Sequence, residues 1–281
     1  RSGPQKVLSM DLLRQFKRAG FLCSNDAIQC YDRIIHCVAM LAMLRMGADK
    51  NAMTSLFGQL QQADHYVMTG YGLSEFSCGG KKRTEQGLLP MQGVMQGNGM
   101  GPIIWLAISV VLIQIMSSMG FGALFLAAIT ATQLQLMGFA FVDDTDLLNT
   151  APDVNTPATA CLHLFQAAID CWEGCLQVTG GGIHPGKDKY FWCLIDHKWN
   201  PQTCKWEYMS ATDAPAEVTI RQPNGEERTP LERIEPHESR KTLGIQIAMD
   251  GNQEGEKDYL KQQAQDFADK LRTAPGLTKN D

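Results

Sequence analysis

The stretch Phe141-Val142-Asp143-Asp144 constrains this chain more than any other. An uncharged run, Leu134 to Val142, leads into two adjacent carboxylates, and Thr145-Asp146-Leu147-Leu148 follows. That order predicts strand, tight turn, strand, with the acids at the turn. Adjacent carboxylates repel, so a fold that gathers them at one turn supplies a cation. Magnesium suits such a site, because it takes a few carboxylates, several waters and a substrate phosphate. A plain polar turn is the competing reading, since Asp is common in turns. A second acid stands at Asp26, where the apolar run from Phe21 ends. Two cations about 3.5–4 Å apart need acids from two strands. As an alternative, Asp26 caps a helix.

Between the two acid sites lies Gly93-Val94-Met95-Gln96-Gly97-Asn98-Gly99-Met100-Gly101-Pro102, followed by the apolar run from Ile103. Four glycines and a proline predict a loop whose backbone can approach a ligand, with a helix starting at its end. The start of a helix can face a phosphate or a base pair.

The blocks and their order resemble the reverse transcriptases of retroelements, including group II intron and non-LTR types. Asp26 with Tyr31 and Asp32 is similar to the family's first catalytic block, an Asp followed five and six residues later by an aromatic residue and an Asp. Gly93 to Pro102 resembles its Gly-x-x-Gln-Gly-x-x-x-Ser-Pro block, with Gly101 where the family has Ser. Phe141 to Asp144 resembles its aromatic-x-Asp-Asp block. Thr179 to Lys189 resembles the next Gly/Pro loop, in which Lys187 and Lys189 both fit the lysine position. Thr242-Leu243-Gly244-Ile245 resembles the turn of the primer grip.

The resemblance implies an α+β polymerase palm, an antiparallel sheet with helices on one face, with partial fingers and the start of a thumb. It implies a palm with fingers over 1–250 and a thumb or connection helix over 251–281. Asp26, Asp143 and Asp144 would bind two Mg²⁺ ions, with Mn²⁺ as a substitute. Ala27, Tyr31, Gln96 and Gly97 would contact the incoming nucleotide or the template. Lys187 or Lys189 would protonate the pyrophosphate. An aromatic at Tyr31 would block a ribose 2′-hydroxyl and so favour a dNTP, with an RNA template and a DNA or RNA primer as partners. Asp32 and Asp146 are the unspecialised acids: Asp32 at a helix start, where its charge suits the dipole, and Asp146 facing outward or capping a neighbour. No role is assigned to His184. An RNA-dependent RNA polymerase is one alternative. The other is an inactive domain derived from such an enzyme, serving as a nucleic-acid or protein binding module.

Only 25 residues precede Asp26, where the family places finger blocks that grip the triphosphate. The expectation is therefore a fragment, with fingers and thumb segments supplied by a longer protein and weak activity alone. The net charge of −5 is wrong for a self-sufficient nucleic-acid binder, and two explanations stand: an acidic palm whose basic fingers and thumb lie elsewhere, or an inactive element that binds nucleic acid poorly. Arg14-Lys17-Arg18 and Lys81-Lys82-Arg83 are local basic clusters, read as solvated faces ahead of phosphate sites. The nine cysteines, an odd number without regular spacing, predict free thiols in a reducing compartment, cytoplasm or nucleus. Cys171 and Cys175 could share a metal at helical spacing but lack a matching pair.

No charged residue occurs from Gln86 to Val142. The apolar pieces Ile103–Met116 and Phe121–Ile129 are each shorter than the roughly 20 residues of a membrane span, and predict two buried palm segments and no membrane. Helices are predicted over Leu8–Arg18, Asp32–Arg45, Asn51–Gln62, Ile103–Met119, Thr156–Val178 and Glu256–Arg272. Strands are predicted over Phe21–Asn25, His65–Thr69, Phe76–Cys78, Leu134–Phe141, Asp146–Asn149, Tyr190–Ile195, Lys205–Met209, Glu217–Arg221 and within Arg240–Ala248.

Overall fold

The computed structural model describes residues 2–28, 30–79, 87, 91–94, 97, 99–127, 129–141, 144–183, 190–221, 227–242 and 244–274. Among them are six helices and a mixed five-stranded sheet with five two-stranded companions. The sheet is built on β1 (Gly20–Asp26), which lies at its centre. Strands β7 (Asp144–Thr150) and β8 (Phe191–Ile195) flank it, both antiparallel. Beyond β7 lies β6 (Gly138–Phe141), and beyond β8 lies β13 (Glu232–Ile234). The sheet is not purely antiparallel as expected, because β13 runs parallel to β8. A parallel neighbour needs a long crossover. Here residues 196–231 supply it, holding the hairpins β9–β10 (His197–Asn200, Lys205–Tyr208) and β11–β12 (Thr219–Arg221, Arg228–Pro230).

Alternation along β1 divides the core in two. Phe21 and Cys23 face a helical layer, where Phe21 stacks on Phe165 at 4.8 Å between ring centroids. That layer consists of α2 (His36–Arg45), α3 (Lys50–Gln62), α4 (Gly101–Ser118) and α5 (Ala158–Val178). Leu22 faces the other way, with Phe139, Leu148, Phe191 and Cys193, beneath Met10 and Leu13 of α1 (Ser2–Phe16). Helices thus lie on both faces of the sheet, against the expectation of one.

Several element boundaries differ from the sequence expectations for local reasons. α1 starts at Ser2 rather than Leu8 and stops at Phe16, with Lys17 at φ 54. α2 starts at His36 rather than Asp32, and the carbonyls of Tyr31 and Ile34 before it accept from another segment, described below. The run Leu134–Phe141 is two strands. β5 (Gln133–Leu136) pairs with β4 (Ala123–Leu126), and β6 pairs with β7. The break falls at Gly138, at φ 154, where an added Cβ would lie 1.9 Å from the carbonyl oxygen of Asp146. Only glycine can pass there. Phe121–Ile129, read as a buried segment, is buried only at its start: it holds β4, with Ala123 0% exposed, and ends in the hairpin turn, with Leu126 68% and Ile129 99% exposed. Arg240–Ala248 is a hairpin, β14 (Ser239–Thr242) and β15 (Ile245–Ala248). The hairpin of β2 (Asp64–Thr69) and β3 (Gly72–Gly79) turns at Gly70-Tyr71.

Among the described residues one helix, α4, is long and apolar enough to cross a membrane by length and composition. Eight of its residues, Ile104, Trp105 and Ile108 among them, are buried in the protein's own core. The last helix, α6 (Glu254–Thr273), buries none of its residues. It is fastened near its start, where Glu256 accepts from the Gln246 amide at 2.7 Å and the Lys241 ammonium lies over the Tyr259 ring.

One buried acid stabilises this architecture in a pH-dependent way. Glu173 on α5 is 4% exposed and accepts from the Arg221 amide at 3.0 Å, joining α5 to β11. Burial pushes its carboxyl up to about 7 against the partial relief of that hydrogen bond. The folded protein therefore holds this proton to higher pH than the unfolded chain does, and stability falls as pH rises from about 4.5 to about 7. Glu173→Gln keeps an acceptor for Arg221 and removes the titration. Its unfolding free energy in urea should match the parent's near pH 4 and exceed it at pH 8, by about 1–2 kcal/mol after allowance for solvent screening.

Candidate functional site

Register places the first acids. Asp26, the last residue of β1, pairs with Asp144, the first residue of β7. Residues opposed in an antiparallel pair lie about 4.5–5.5 Å apart at Cα and send side chains to the same face. Both aspartates are half-buried. Like charges so placed are destabilising unless a cation or a proton intervenes. Ser24 and Asp146 form the next pair on this face, and Leu22 and Leu148 the one after. Asp143 lies outside the described residues, as do Gln96, Lys187, Lys189 and His184.

Asp146 corrects an expectation. It neither faces outward nor caps a neighbour, but is 7% exposed and ion-paired with Lys6 of α1 at 3.0 Å. Alternation turns it inward: it points to the face that α1 covers, opposite Phe139 of β6.

The segment after Asp26 is held from two sides. Ala27 forms an isolated bridge with Ile183, and the Ile28 amide donates to the Gly182 carbonyl at 2.9 Å. The Ile35 amide donates to the Thr179 carbonyl at 2.9 Å. The loop that leads toward Lys187 thus starts against Ala27. Gly180 permits this, at φ 89, where a Cβ would sit 2.2 Å from the Arg33 carbonyl oxygen.

From the other side comes the start of the glycine-rich loop. The Gly93 amide donates to Ile34 and the Val94 amide to Tyr31, both at 2.8 Å. Buried His36 Nε2 lies 2.6 Å from the Gly93 carbonyl oxygen and therefore donates to it, while Nδ1, 3.3 Å from the Gln61 amide nitrogen, accepts. Asp32 consequently belongs to a turn braced against Gly93, not to a helix start. Half-buried Tyr31 packs against the first residue of α4, where a Cβ on Gly101 would lie 3.2 Å from the Tyr31 ring. Glycine at 101 lets the ring sit directly on the helix start. Gly97 is in a turn at φ 93 with open space around it.

Behind the acids, the Trp172 indole of α5 donates to Asn25 Oδ1 at 3.1 Å. It anchors the residue before Asp26 on the helical side. The basic cluster Arg14-Lys17-Arg18 proves structural in its arginines. Arg18 donates to the carbonyls of Leu124, Ala151 and Pro152, and Arg14 to that of Asp250. Lys81, Lys82 and Arg83 lie outside the described residues. Burial, with Cys171 beside it, pushes the Cys175 thiol up to about 11, which disfavours the thiolate a zinc site requires. Among the described residues no group of three or more His, Cys, Asp or Glu could hold a metal ion. Asp26 and Asp144 give two carboxylates on one face. Two carboxylates fit magnesium, which takes the rest of its ligands from water and phosphate.

No protein-family model matches the chain, and no curated protein matches it. Among solved structures, apo telomerase from Candida tropicalis, truncated from its C-terminal domain, is similar at 15% identity and a TM-score of 0.44, over 73% of this chain and 39% of that one. Candida albicans telomerase with a fragment of telomeric RNA is similar at 16% identity and 0.41, over 72% and 31%. Candida tropicalis telomerase with the same kind of fragment stands at 11% and 0.41, over 78% and 34%. The chain thus spans about a third of the length of the telomerases it matches, and likenesses this distant carry no argument about its chemistry.

The two loop glycines separate conformation from crowding. Gly93→Ala meets both a positive φ and the Asp32 backbone, whose atoms lie 2.5–2.7 Å from the added Cβ. Gly97→Ala meets the positive φ alone. Thermal or urea unfolding should show a loss of about 3 kcal/mol or more for Gly93→Ala and about 1–2 kcal/mol for Gly97→Ala.

Proposed function

We propose that this chain is the catalytic portion of a reverse-transcriptase-type nucleotidyltransferase, copying an RNA template into DNA by metal-assisted transfer, and that it derives from a retroelement. The observation that carries the reading is the opposed pair Asp26 and Asp144, at the one strand end where three sequence blocks meet. The segment after Asp26, the glycine-rich loop and the loop after α5 come from separate parts of the chain. Backbone hydrogen bonds bring them together beside these acids. A polar hairpin turn needs no such assembly.

In this reading Asp26 and Asp144, with Asp143, hold Mg²⁺, which would activate the primer 3′-hydroxyl and offset charge on the triphosphate. Tyr31, braced by Gly101 and by the Val94 amide, would present its ring beneath the sugar and exclude a 2′-hydroxyl. Gly97 and Gln96 would lie along the nucleotide or template, and Ala27 would form the floor of the pocket. Lys187 or Lys189 would give a proton to the departing pyrophosphate. Partners would be RNA template, primer and dNTP, with fingers and thumb segments from a longer protein, in a reducing intracellular compartment. Asp26 and Asp144 favour this over an inactive binding module, since a module needs no opposed acids. Tyr31 favours it over an RNA polymerase.

The test is primer extension on an RNA template with Mg²⁺ and dNTPs, in the chain completed with its fingers and thumb segments, which is the parent for every variant. Asp26→Asn and Asp144→Asn should each reduce extension at least about 100-fold, beyond the effect typical of groups that only support a ligand. Undiminished extension in either variant refutes the site. RNA binding without any extension by the parent would favour the module.

Sugar choice gives an independent check. Tyr31→Val should raise ribonucleotide over deoxynucleotide use by about 10–200-fold in single-nucleotide extension. A parent that uses both sugars equally would favour the RNA polymerase.

A further inference from the structure

Lys6 is 1% exposed, an unusual place for an ammonium. A buried charge persists only where partners replace water. Its two partners come from distant parts of the chain. One is Asp146 Oδ2 of β7 at 3.0 Å, and the other is Thr242 Oγ1, at the end of β14, at 3.4 Å. The helix that carries Lys6 is itself anchored, since Met10 and Leu13 are 3% and 1% exposed in the core of this face. Its other end is tied by Arg14 to the Asp250 carbonyl, just past β15.

Asp146 stands two residues along β7 from Asp144, on the same face, in the pair next to Asp26–Asp144. Thr242 is the last residue of β14 before the turn to β15. One ammonium therefore spans the acid-bearing strand and a hairpin that belongs to no larger sheet. Among the described residues the β14–β15 hairpin pairs only with itself, so its placement depends on side-chain contacts such as this one. Apolar side chains in place of both Lys6 and Asp146 would fill the same space and, by the usual balance of desolvation against attraction, cost little stability. What they would lose is direction: an ammonium donor fixes both acceptors, whereas a methyl group does not.

We propose that Lys6 is a positioning residue. It sets the distance and angle between the Asp26–Asp144 acids and the β14–β15 hairpin, and so the placement of a primer end lying between them. This rests on the polymerase reading above. The tether itself can be measured without it.

The test compares the parent, completed with its fingers and thumb segments, with Lys6→Arg, Thr242→Val and the double variant Lys6→Met/Asp146→Leu. The double variant replaces the ion pair by apolar groups and should unfold at the parent's denaturant concentration. Amides of residues 239–248 should nonetheless exchange with deuterium at least about 10-fold faster in it. Primer-extension kcat should fall about 10–100-fold at unchanged KM for dNTP, the signature of a misplaced reacting group. Lys6→Arg should stay close to the parent. Thr242→Val, which leaves the ion pair intact, should loosen only the hairpin and lower kcat in the same way. Parent-like exchange and kcat in Thr242→Val or in a folded double variant would overturn the proposal and reduce Lys6 to core filling. If the parent does not extend primers, the polymerase reading fails, and the exchange data alone decide whether Lys6 tethers the hairpin.

Discussion

The rest of the site depends on the register between β1 and β7. Seven consecutive pairs, from Gly20–Thr150 to Asp26–Asp144, leave no freedom in which residues face which side. A slip by one residue would send Asp144 toward the helices and Thr145 toward the acids, because strand side chains alternate. The register is enforced from both faces. Phe21 and Cys23 belong to the helical core, and Leu22 and Leu148 to the core under α1. Two apolar cores of opposite parity therefore hold two acids in opposition at the strand end.

The loops around the acids use the same economy with backbone groups. The carbonyls of Tyr31 and Ile34 accept from the glycine-rich loop, and the Ile28 and Ile35 amides donate to the loop after α5. Glycine at 93 and 180 makes these approaches possible, since a Cβ at either would meet backbone at 2.5 Å or less. The glycines here do not confer mobility. They let three backbones touch where the blocks meet.

Much of this was legible in the sequence, and the misses share a cause. Period-two and helical patterns located β1, α4 and α5 to within a few residues, because each buries one face or all of itself. The same patterns ended the first strand on Asp26, but they left Asp144 in the turn and began the next strand at Asp146, two residues after its start. What could not be read was any contact between distant segments. Arg18 and Lys6 look like ordinary surface cations, yet one clamps three carbonyls and the other is buried against Asp146. The break at Gly138 likewise follows from the strand beside it. His36 had a detectable signal: a lone histidine on an otherwise apolar helix face that packs into the core.

The bond from Trp172 to Asn25 has an optical consequence. An indole's emission responds to its hydrogen bond and to nearby charge. The Trp172 partner is the residue immediately before Asp26, so this buried ring lies across the sheet from the face that carries the acids. Charge brought to or taken from Asp26 changes the field at an indole that solvent and solute quenchers cannot reach. The helical core thereby holds a built-in dye for the opposite face of the sheet.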